Sequence, residues 1–566
     1  MEIKAGSTLP SPPPNAPRIR RAFGNDWNDW NGWTAIRAFS FLCVLLPFLA
    51  LAGGLFSPPG EHWPYVRDHL LRAYFTETLL VTLGAGAFAG ALGVGLAWVV
   101  SLHTFRGCRF FDLALVLPLA IPPYIAAYAY EGLFGYTGIV QVFLRRQFGL
   151  SFARLTTEIP AQAWAVWVFG VTLFPYVYLL TRAFLRHQSA AIFENALLLG
   201  GRARLFWRVG LPLLWPSATA GVILVCLEVL NDFGVSSHYG LTTFTTAIFA
   251  AWFGMGDADT AIRLALILLG LVFFALLLRR ALHDARRYHI VSSQEKRLSP
   301  HRLRGLPQAG VLLFCGLVFL AGFLAPLLQM FHWLRLSWRG AFTVELGSAL
   351  LYTLGVSGAA TLFVMLAATG TANANRLFRS RFSAPLSQGA TLGYAIPSAV
   401  LAIGVISFFT GADRWLAACF PFLPERFLSM SSFLLVFAYG IRFFSIGYQS
   451  VEAGFAKIGR VYTEASRTLG RGVTASFLRV DLPMIRHAFL GGAALVFIDI
   501  LKELPLGLLL RPFNTETLGT MVYHFANNEV LEETALPSLC IVLAGAVFLL
   551  LTKVWEKGEE IHVSGN

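Results

Sequence analysis

The sequence predicts an all-α polytopic membrane protein, with about twelve transmembrane helices in two parallel six-helix repeats. Three observations carry this. Of the 566 residues, 56% are hydrophobic and only 13% are charged, where a soluble protein of ordinary composition carries about 25% charged residues. Continuous apolar runs of the roughly 20 residues that a bilayer demands recur down the chain. The same short motifs return at a near-constant interval. The runs are unbroken rather than alternating, which argues against a transmembrane β-barrel.

Residues 1–34 hold SPPPNAP and RIRR and end in NDWNDWNGW. Trp27, Trp30 and Trp33 suit a membrane interface. This segment reads as a disordered cytoplasmic tail. The first apolar run, 35–56, is too long for the core of a signal peptide and lacks a small-residue cleavage site, so it reads as an uncleaved span. Five more runs, near 73–101, 110–134, 161–183, 211–235 and 261–282, complete a first half over 35–282. A basic cytoplasmic linker follows at 283–308. Six further runs, near 309–330, 346–370, 386–410, 429–449, 485–505 and 534–553, build a second half over 309–555. A short tail, 556–566, closes the chain.

Charge fits the layout. The formal net charge is +13, and most Lys and Arg fall in segments on one side of the membrane, which places both termini in the cytoplasm. That excess accounts for the basicity, and no nucleic-acid partner is expected. The six cysteines are scattered singly without a C-x-x-C pair, so neither a zinc site nor a disulfide framework is indicated.

The halves repeat one another. TLLVTLGAGA (78–87) resembles ALLYTLGVSG (349–358), LAIPPYIAA (119–127) resembles YAIPSAVLA (394–402), and CLEVLNDFG (226–234) lines up with FIDILKELP (497–505). The offset stays between 270 and 275. Six spans per half make the repeats parallel, related by an axis along the membrane normal. Pro122, Pro123 and Pro397 fall within spans three and nine, where they should kink or unwind the helix.

Two polar segments interrupt the apolar pattern at equivalent places, between the fourth and fifth spans of each half. They are FENALLLGGRARLFWRVGLP (193–212) and YTEASRTLGRGVTASFLRVDLP (462–483). Each reads as a short helix with an acid in its first turn, where the macrodipole favours it. A glycine then permits the turn, and a Leu-Pro opens the next span. The acid, small-residue, glycine and Leu-Pro positions are Glu194, Ala196, Gly200, Leu211 and Pro212 in the first copy. In the second they are Glu464, Ala465, Gly470, Leu482 and Pro483. The first copy is one residue shorter between glycine and Leu-Pro.

The pattern Glu-Ala-Ala, three residues, Gly, nine residues, an apolar residue, any residue, Leu-Pro resembles the signature loop of ABC-importer permeases. The second copy departs at Ser466, the first at Asn195 and in its length. The resemblance implies the type I importer fold and makes each loop a coupling helix for one subunit of a cytoplasmic ABC ATPase dimer. An extracytoplasmic solute-binding protein would deliver substrate. The chain has no G-x-x-x-x-G-K-[ST] phosphate loop, so no cofactor is expected on it and ATP would be used by the partner subunit. The chain itself would not be an enzyme. KELPLGLLLRPFNTETLGTMVY (502–523) and LTTFTTAIFAAWFGMGD (241–257) resemble segments of the ferric-iron permeases of this family and imply an inner-membrane location.

Four acids sit in otherwise apolar surroundings. Glu228 and Asp232 are four residues apart near the end of span five, and Asp499 and Glu503 are their counterparts on span eleven. Residues i and i+4 share a helix face. Glu228 lies 17 residues beyond Leu211, roughly 25 Å along a helix, which puts the acids toward the outer end of a pathway. Carboxylates suit hard cations, although pairing with neighbours such as Lys502 would explain them equally. Tyr124, Tyr128 and Tyr130 are read as aromatic packing before metal ligands. Thiamine, polyamine and inorganic-anion permeases share the loop and stay open as alternatives. A secondary transporter would also have repeats and buried carboxylates, but no need of two docking loops.

Overall fold

The computed structural model describes residues 32–148, 159–186, 205–284 and 301–564, apart from 341, 379–380, 421–423 and 425. In lipid every backbone N–H and C=O must be paired within its own segment, and a helix achieves that. Among the described residues, ten helices are long and apolar enough to cross a bilayer, and two bent helix pairs raise the total to twelve. Spans one to six are Gly32–Gly53, Trp63–Leu102, the pair Cys108–Ala120 and Pro123–Gln147, Ala161–Arg186, Leu205–Asn231 and Ala258–Leu278. Spans seven to ten are Leu306–Ser337, Val344–Leu377, Ser398–Cys419 and Ser432–Ile458. Span eleven is the pair Val473–Met484 and Arg486–Leu501, and span twelve is Leu531–Leu551.

Each apolar run of the sequence finds a span, with several boundaries displaced by two turns or more. Span nine was expected over 386–410 but begins at Ser398 and runs to Cys419. Pro397 is the cause: it has no N–H to give, so it sits at the N-terminal cap. The residues before it form a separate helix, Ser383–Thr391, and a 3-10 turn, Leu392–Ala395. Pro122 and Pro123 act likewise in the first half, where the two parts of span three meet at 96°. The last helix continues to Ser564, so most of the segment assigned to a C-terminal tail is helical. Residues 1–31 and 285–300, the tail and most of the linker, lie outside the described residues. The linker's end is ordered: His301 and Arg302 pair in parallel with His103 and Thr104, just beyond span two.

The halves exchange their outer spans. One apolar core is built mainly by spans two to five, joined by spans seven and twelve. The other is built mainly by spans eight to eleven, joined by spans one and six. Polar bonds fix the exchange. Arg37 of span one donates to Ser383 Oγ at 2.7 Å and to the Phe378 carbonyl at 3.2 Å. Tyr130 of span three donates to the Ala321 carbonyl of span seven at 2.7 Å.

The repeat is visible in matched hydrogen bonds. The Thr78 hydroxyl accepts the Phe244 N–H at 3.0 Å, and the Thr353 hydroxyl accepts the Leu518 N–H at 2.9 Å. Thr243 and Thr517 cap the short helices that begin at Phe244 and Leu518. This pairing sets Thr78 opposite Thr353, whereas the TLG motif sets Thr82 there. Phe88 and Phe363 agree with the hydrogen bonds, since each faces a glycine of the fourth span of its half, Gly170 and Gly440. A four-residue slip keeps the same helix face, so the apolar pattern tolerates the wrong register.

Candidate functional site

The polar residues singled out in the sequence fall in two places: the loops before spans five and eleven, and a cavity between the halves. Of the coupling residues in the first half, Glu194, Ala196 and Gly200 lie outside the described residues. Leu211 and Pro212 lie inside the continuous span five. In the second half the expected short helix spans Val461–Thr468, with Glu464 in its first turn and Ala465 beside it. Gly470 follows at φ +81°, the left-handed turn expected of it. Leu482 and Pro483 do not open span eleven. They form the last turn of Val473–Met484, which meets Arg486–Leu501 at 76°. The chain turns at Ile485, at φ −92° and ψ 6°, so the second part of span eleven opens at Arg486.

The loop is held from below and bare above. Arg376, in the last turn of span eight, forms an ion pair with the fully buried Asp481 at 2.6 Å. The Thr463 hydroxyl donates to the same carboxylate at 2.6 Å. The Arg376 guanidinium also lies 4.3 Å from the Phe455 ring centroid. Ser466, the departure from the second Ala of the motif, pairs with Ser476 at 2.9 Å. With Thr463 and Ser466 facing inward, Val461 and Leu469 stand 72% and 82% exposed. Apolar side chains left bare at the end of a membrane bundle fit a soluble partner. In the first half the residue matching Asp481 is Gly210, so this anchor belongs to one loop alone.

The four acids converge. Glu228, Asp232, Asp499 and Glu503 line one partly open space of about 110 Å³, together with Arg442, Lys502, Tyr124 and Tyr394. The helix breaks make room for it, since Pro122, Pro123 and Tyr394 belong to the broken stretches of spans three and nine. The acids do not share unbroken helix faces as the i, i+4 spacing implied. Asp232 follows the end of span five in extended conformation, and Glu503 lies past the C-cap Lys502 of span eleven. Both still turn to the cavity because the chain unwinds there. A carboxylate in the way of a new helix start caps it: Asp232 Oδ1 accepts from the Val235 N–H at 2.8 Å.

Of the remaining bonds, two tie the halves together and the others brace the second half. Tyr394 donates to Glu228 Oε1 at 2.9 Å. The Ser398 N–H donates to Asn231 Oδ1 at 2.6 Å, and the Ser398 hydroxyl donates to Glu503 Oε1 at 2.5 Å. Arg442 Nε lies 3.3 Å from Glu503 Oε2, while Nη1 donates to the Ile396 carbonyl at 2.8 Å. That carbonyl is available because the helix is interrupted at Pro397. Lys502 pairs with Asp499 at 2.8 Å, the neighbour pairing that the sequence offered as an alternative. No group of three or more His, Cys, Asp or Glu side chains among the described residues is placed to hold a metal ion. The acids face a shared space without forming a chelate.

Tyr124 is among the residues that line the cavity, and its hydroxyl is buried without a partner among the described residues. Tyr128 packs edge-on against Tyr124 and His238, and Tyr130 is committed to span seven. Sequence reasoning missed Tyr394, Ser398 and Asn231, which are ordinary residues in apolar surroundings. Arg442 is a lone charge within the apolar run near 429–449. An ionisable group in such a place carries a functional presumption, and that was the available signal. For the Arg376–Asp481 anchor, the signal was the single difference between RVGLP and RVDLP.

No protein-family model matches the chain. It is similar to a Fe(3+)-transport system permease protein of Haemophilus influenzae, 24% identical over 488 residues, which cover 84% of this chain and 88% of that one. It is similar to a sulfate transport system permease protein of Salmonella typhimurium, 29% identical over 198 residues, or 35% of this chain and 69% of that one. A molybdenum transport system permease protein of Escherichia coli is 30% identical over 210 residues, or 36% of this chain and 88% of that one. A relative matched nearly whole by about a third of this chain fits a protein made of two permease-like halves. With its multi-pass helical architecture, its repeated halves and these relatives, the chain belongs to the ABC-importer permeases.

Proposed function

We propose that the chain is the inner-membrane permease of an ATP-driven importer for ferric iron. A cytoplasmic ATPase dimer docks on the two coupling loops, and an extracytoplasmic binding protein delivers iron to the opposite face. Both termini lie in the cytoplasm. ATP binding and hydrolysis in the partner subunits move the loops, and the halves alternate between outward and inward access. Each loop joins the fourth span of its half to the fifth. A push on the second loop is transmitted to span eight through Arg376 and to span eleven through the Val473–Met484 helix.

The charge of the cavity carries the choice of substrate. Four carboxylates face it against one guanidinium and one ammonium. Hard cations prefer such oxygen donors. The competing reading is an oxyanion, since two of the relatives are named for sulfate and molybdenum transport. An oxyanion needs converging donors, and here both cations are already paired with acids. The likeness that spans most of the chain is to the relative named for Fe(3+).

The test is uptake of radiolabelled ferric iron, sulfate and molybdate in cells lacking the gene, complemented with the intact chain, its ATPase and its binding protein. Iron uptake alone is expected to return. Restored sulfate or molybdate uptake without iron would overturn the substrate. Iron uptake that persists without the ATPase would overturn the ATP-driven mechanism.

A further inference from the structure

The two halves differ at the end that carries the polar loops. A second and larger space, of about 800 Å³, lies there between the ends of spans eight and ten and the helix Ser383–Thr391. It continues the first cavity. Arg442 lines the first space and Gln449 the second, two turns apart on one face of span ten. Tyr394 lines the first and Thr391 the second, three residues apart. The walls are polar, with Asn375, Ser387, Gln388, Gln449 and Glu452 among them. Gln388, Gln449 and Glu452 are exposed. An ionisable residue within a span faces the bundle interior or a water-filled cavity, and Glu452 does so here. Arg376 and Arg460 complete the wall where the chain enters the loop helix Val461–Thr468.

The repeat shows what the first half has instead. The paired prolines Pro122 and Pro397 set Asp112 opposite Ser387 and Leu113 opposite Gln388. The paired glycines Gly170 and Gly440 set Tyr178 opposite Tyr448, Leu179 opposite Gln449, and Arg182 opposite Glu452. In the first half this place is bridged by charge. Arg182 forms an ion pair with Asp112, and Arg186 lies 3.5 Å from the same carboxylate. The Tyr178 hydroxyl also donates to Asp112, at 3.4 Å. These contacts clamp span four onto span three. In the second half Tyr448 donates to Glu452 on its own helix at 3.0 Å and accepts from Asn375 at 3.0 Å. With serine at the position of Asp112 and an acid at that of Arg182, the clamp cannot form.

We propose that the transported cation leaves through the second half, by way of this larger space, and that the Asp112–Arg182 clamp keeps the equivalent route in the first half shut. This deepens the cation reading given above and rests on it. Amide, hydroxyl and carboxylate oxygens suit a hard cation, and a single acid among neutral donors holds it weakly enough to release. The space also touches the drive. Arg376 is at once part of its wall and the partner of Asp481 in the polar loop, so a displaced loop moves the wall.

The experiment places one cysteine at a time in the whole transporter, at Gln449→Cys or Gln388→Cys in the second half and at Leu179→Cys in the first. The purified complex is reacted with thiosulfonates of similar size that attach either a trimethylammonium or a sulfonate group. It is then reconstituted, and ATP-driven ferric uptake is measured against the chain without an added cysteine, treated in the same way. The cationic adduct at Gln449→Cys or Gln388→Cys is expected to lower uptake at least threefold further than the anionic one. Both reagents are expected to leave Leu179→Cys within twofold of its untreated rate. Equal losses from the two charges at both second-half positions would mean that the adducts only jam a conformational change, and would overturn the route. A second-half cysteine that does not react, or a loss as large at Leu179→Cys, would overturn it as well. A second variant, Ser387→Asp with Glu452→Arg, builds the clamp into the second half. It is expected to lower uptake at least fivefold at normal protein level and ATPase occupancy, and normal uptake with Gln449→Cys made unreactive would sink the proposal. An untreated chain that moves no iron would instead overturn the substrate reading, and this route for a cation with it.

Discussion

Arg376 and Asp481 form a buried ion pair at 2.6 Å between the end of span eight and the base of the polar loop before Arg486. Their side chains are 8% and 0% exposed, so neither charge has water to fall back on. Removing one partner strands the other. Asp481→Ala should cost roughly 3–5 kcal/mol, read as a lowered Tm of the purified complex. Replacing both, as Arg376→Met with Asp481→Leu, should cost less than either change alone. The coupling ratio separates stability from function: the double variant should hydrolyse ATP with less substrate moved per turnover.

Gly470 follows the Val461–Thr468 helix, the coupling helix of the proposed mechanism, at φ +81°. A Cβ added there would meet nothing within 4 Å, so any penalty comes from backbone conformation alone. Gly470→Ala should therefore cost about 1–2 kcal/mol and loosen the turn without a clash. The measurement is co-purification of the ATPase with the permease. Reduced ATPase occupancy together with a modest fall in Tm is expected. Unchanged occupancy would mean that the turn is not needed for docking.

The sequence made the spans legible because apolar runs of sufficient length have one outcome in lipid. Loop position was legible because a polar segment between two such runs stands out, and the Gly470 turn followed from residue type. Span nine was misplaced by about three turns at its start and about two and a half at its end. Hydropathy is blind to a break that keeps apolar residues on both sides, and only Pro397 marked it. The register of span two against span eight failed for a related reason, since Thr78 and Thr82 lie on one helix face and either fits the TLG pattern. The cavity partners were illegible because Tyr394, Ser398 and Asn231 act only once the breaks in spans three and nine bring them against the acids. Pairing between halves leaves no mark in local periodicity.

The matched bonds of Thr78 and Thr353 test the repeat as an energetic symmetry. Each hydroxyl accepts the first N–H of a short helix, and both residues are almost fully buried, at 4% and 3% exposed. Val has a similar shape but no acceptor. Thr78→Val and Thr353→Val should each cost about 1–3 kcal/mol for an unpaired N–H, with similar shifts in Tm. The sites lie in different halves, so the double variant should show the sum of the two. A large difference between the single variants would mean that the halves do not use the bond equivalently.

Gly393 stands in the 3-10 turn that leads to the break of span nine, and it is packed against the Ile441 carbonyl of span ten. A Cβ there would overlap that backbone oxygen, which has no freedom to move aside. Ile441 precedes Arg442, whose guanidinium holds the Ile396 carbonyl on the far side of the same turn. Gly393→Ala must push the two spans apart or unseat that bond, at a cost of about 1–3 kcal/mol. Gly411 is the control: it lies in the helix of span nine with open space beside it. Gly411→Ala should be neutral or stabilising by up to about 1 kcal/mol, because alanine loses less backbone freedom in a helix. Thermal unfolding of the two variants in parallel decides the matter. A Gly393→Ala variant as stable as the Gly411→Ala one would show that the turn is loosely held, and that Arg442 does not depend on it for its position in the cavity.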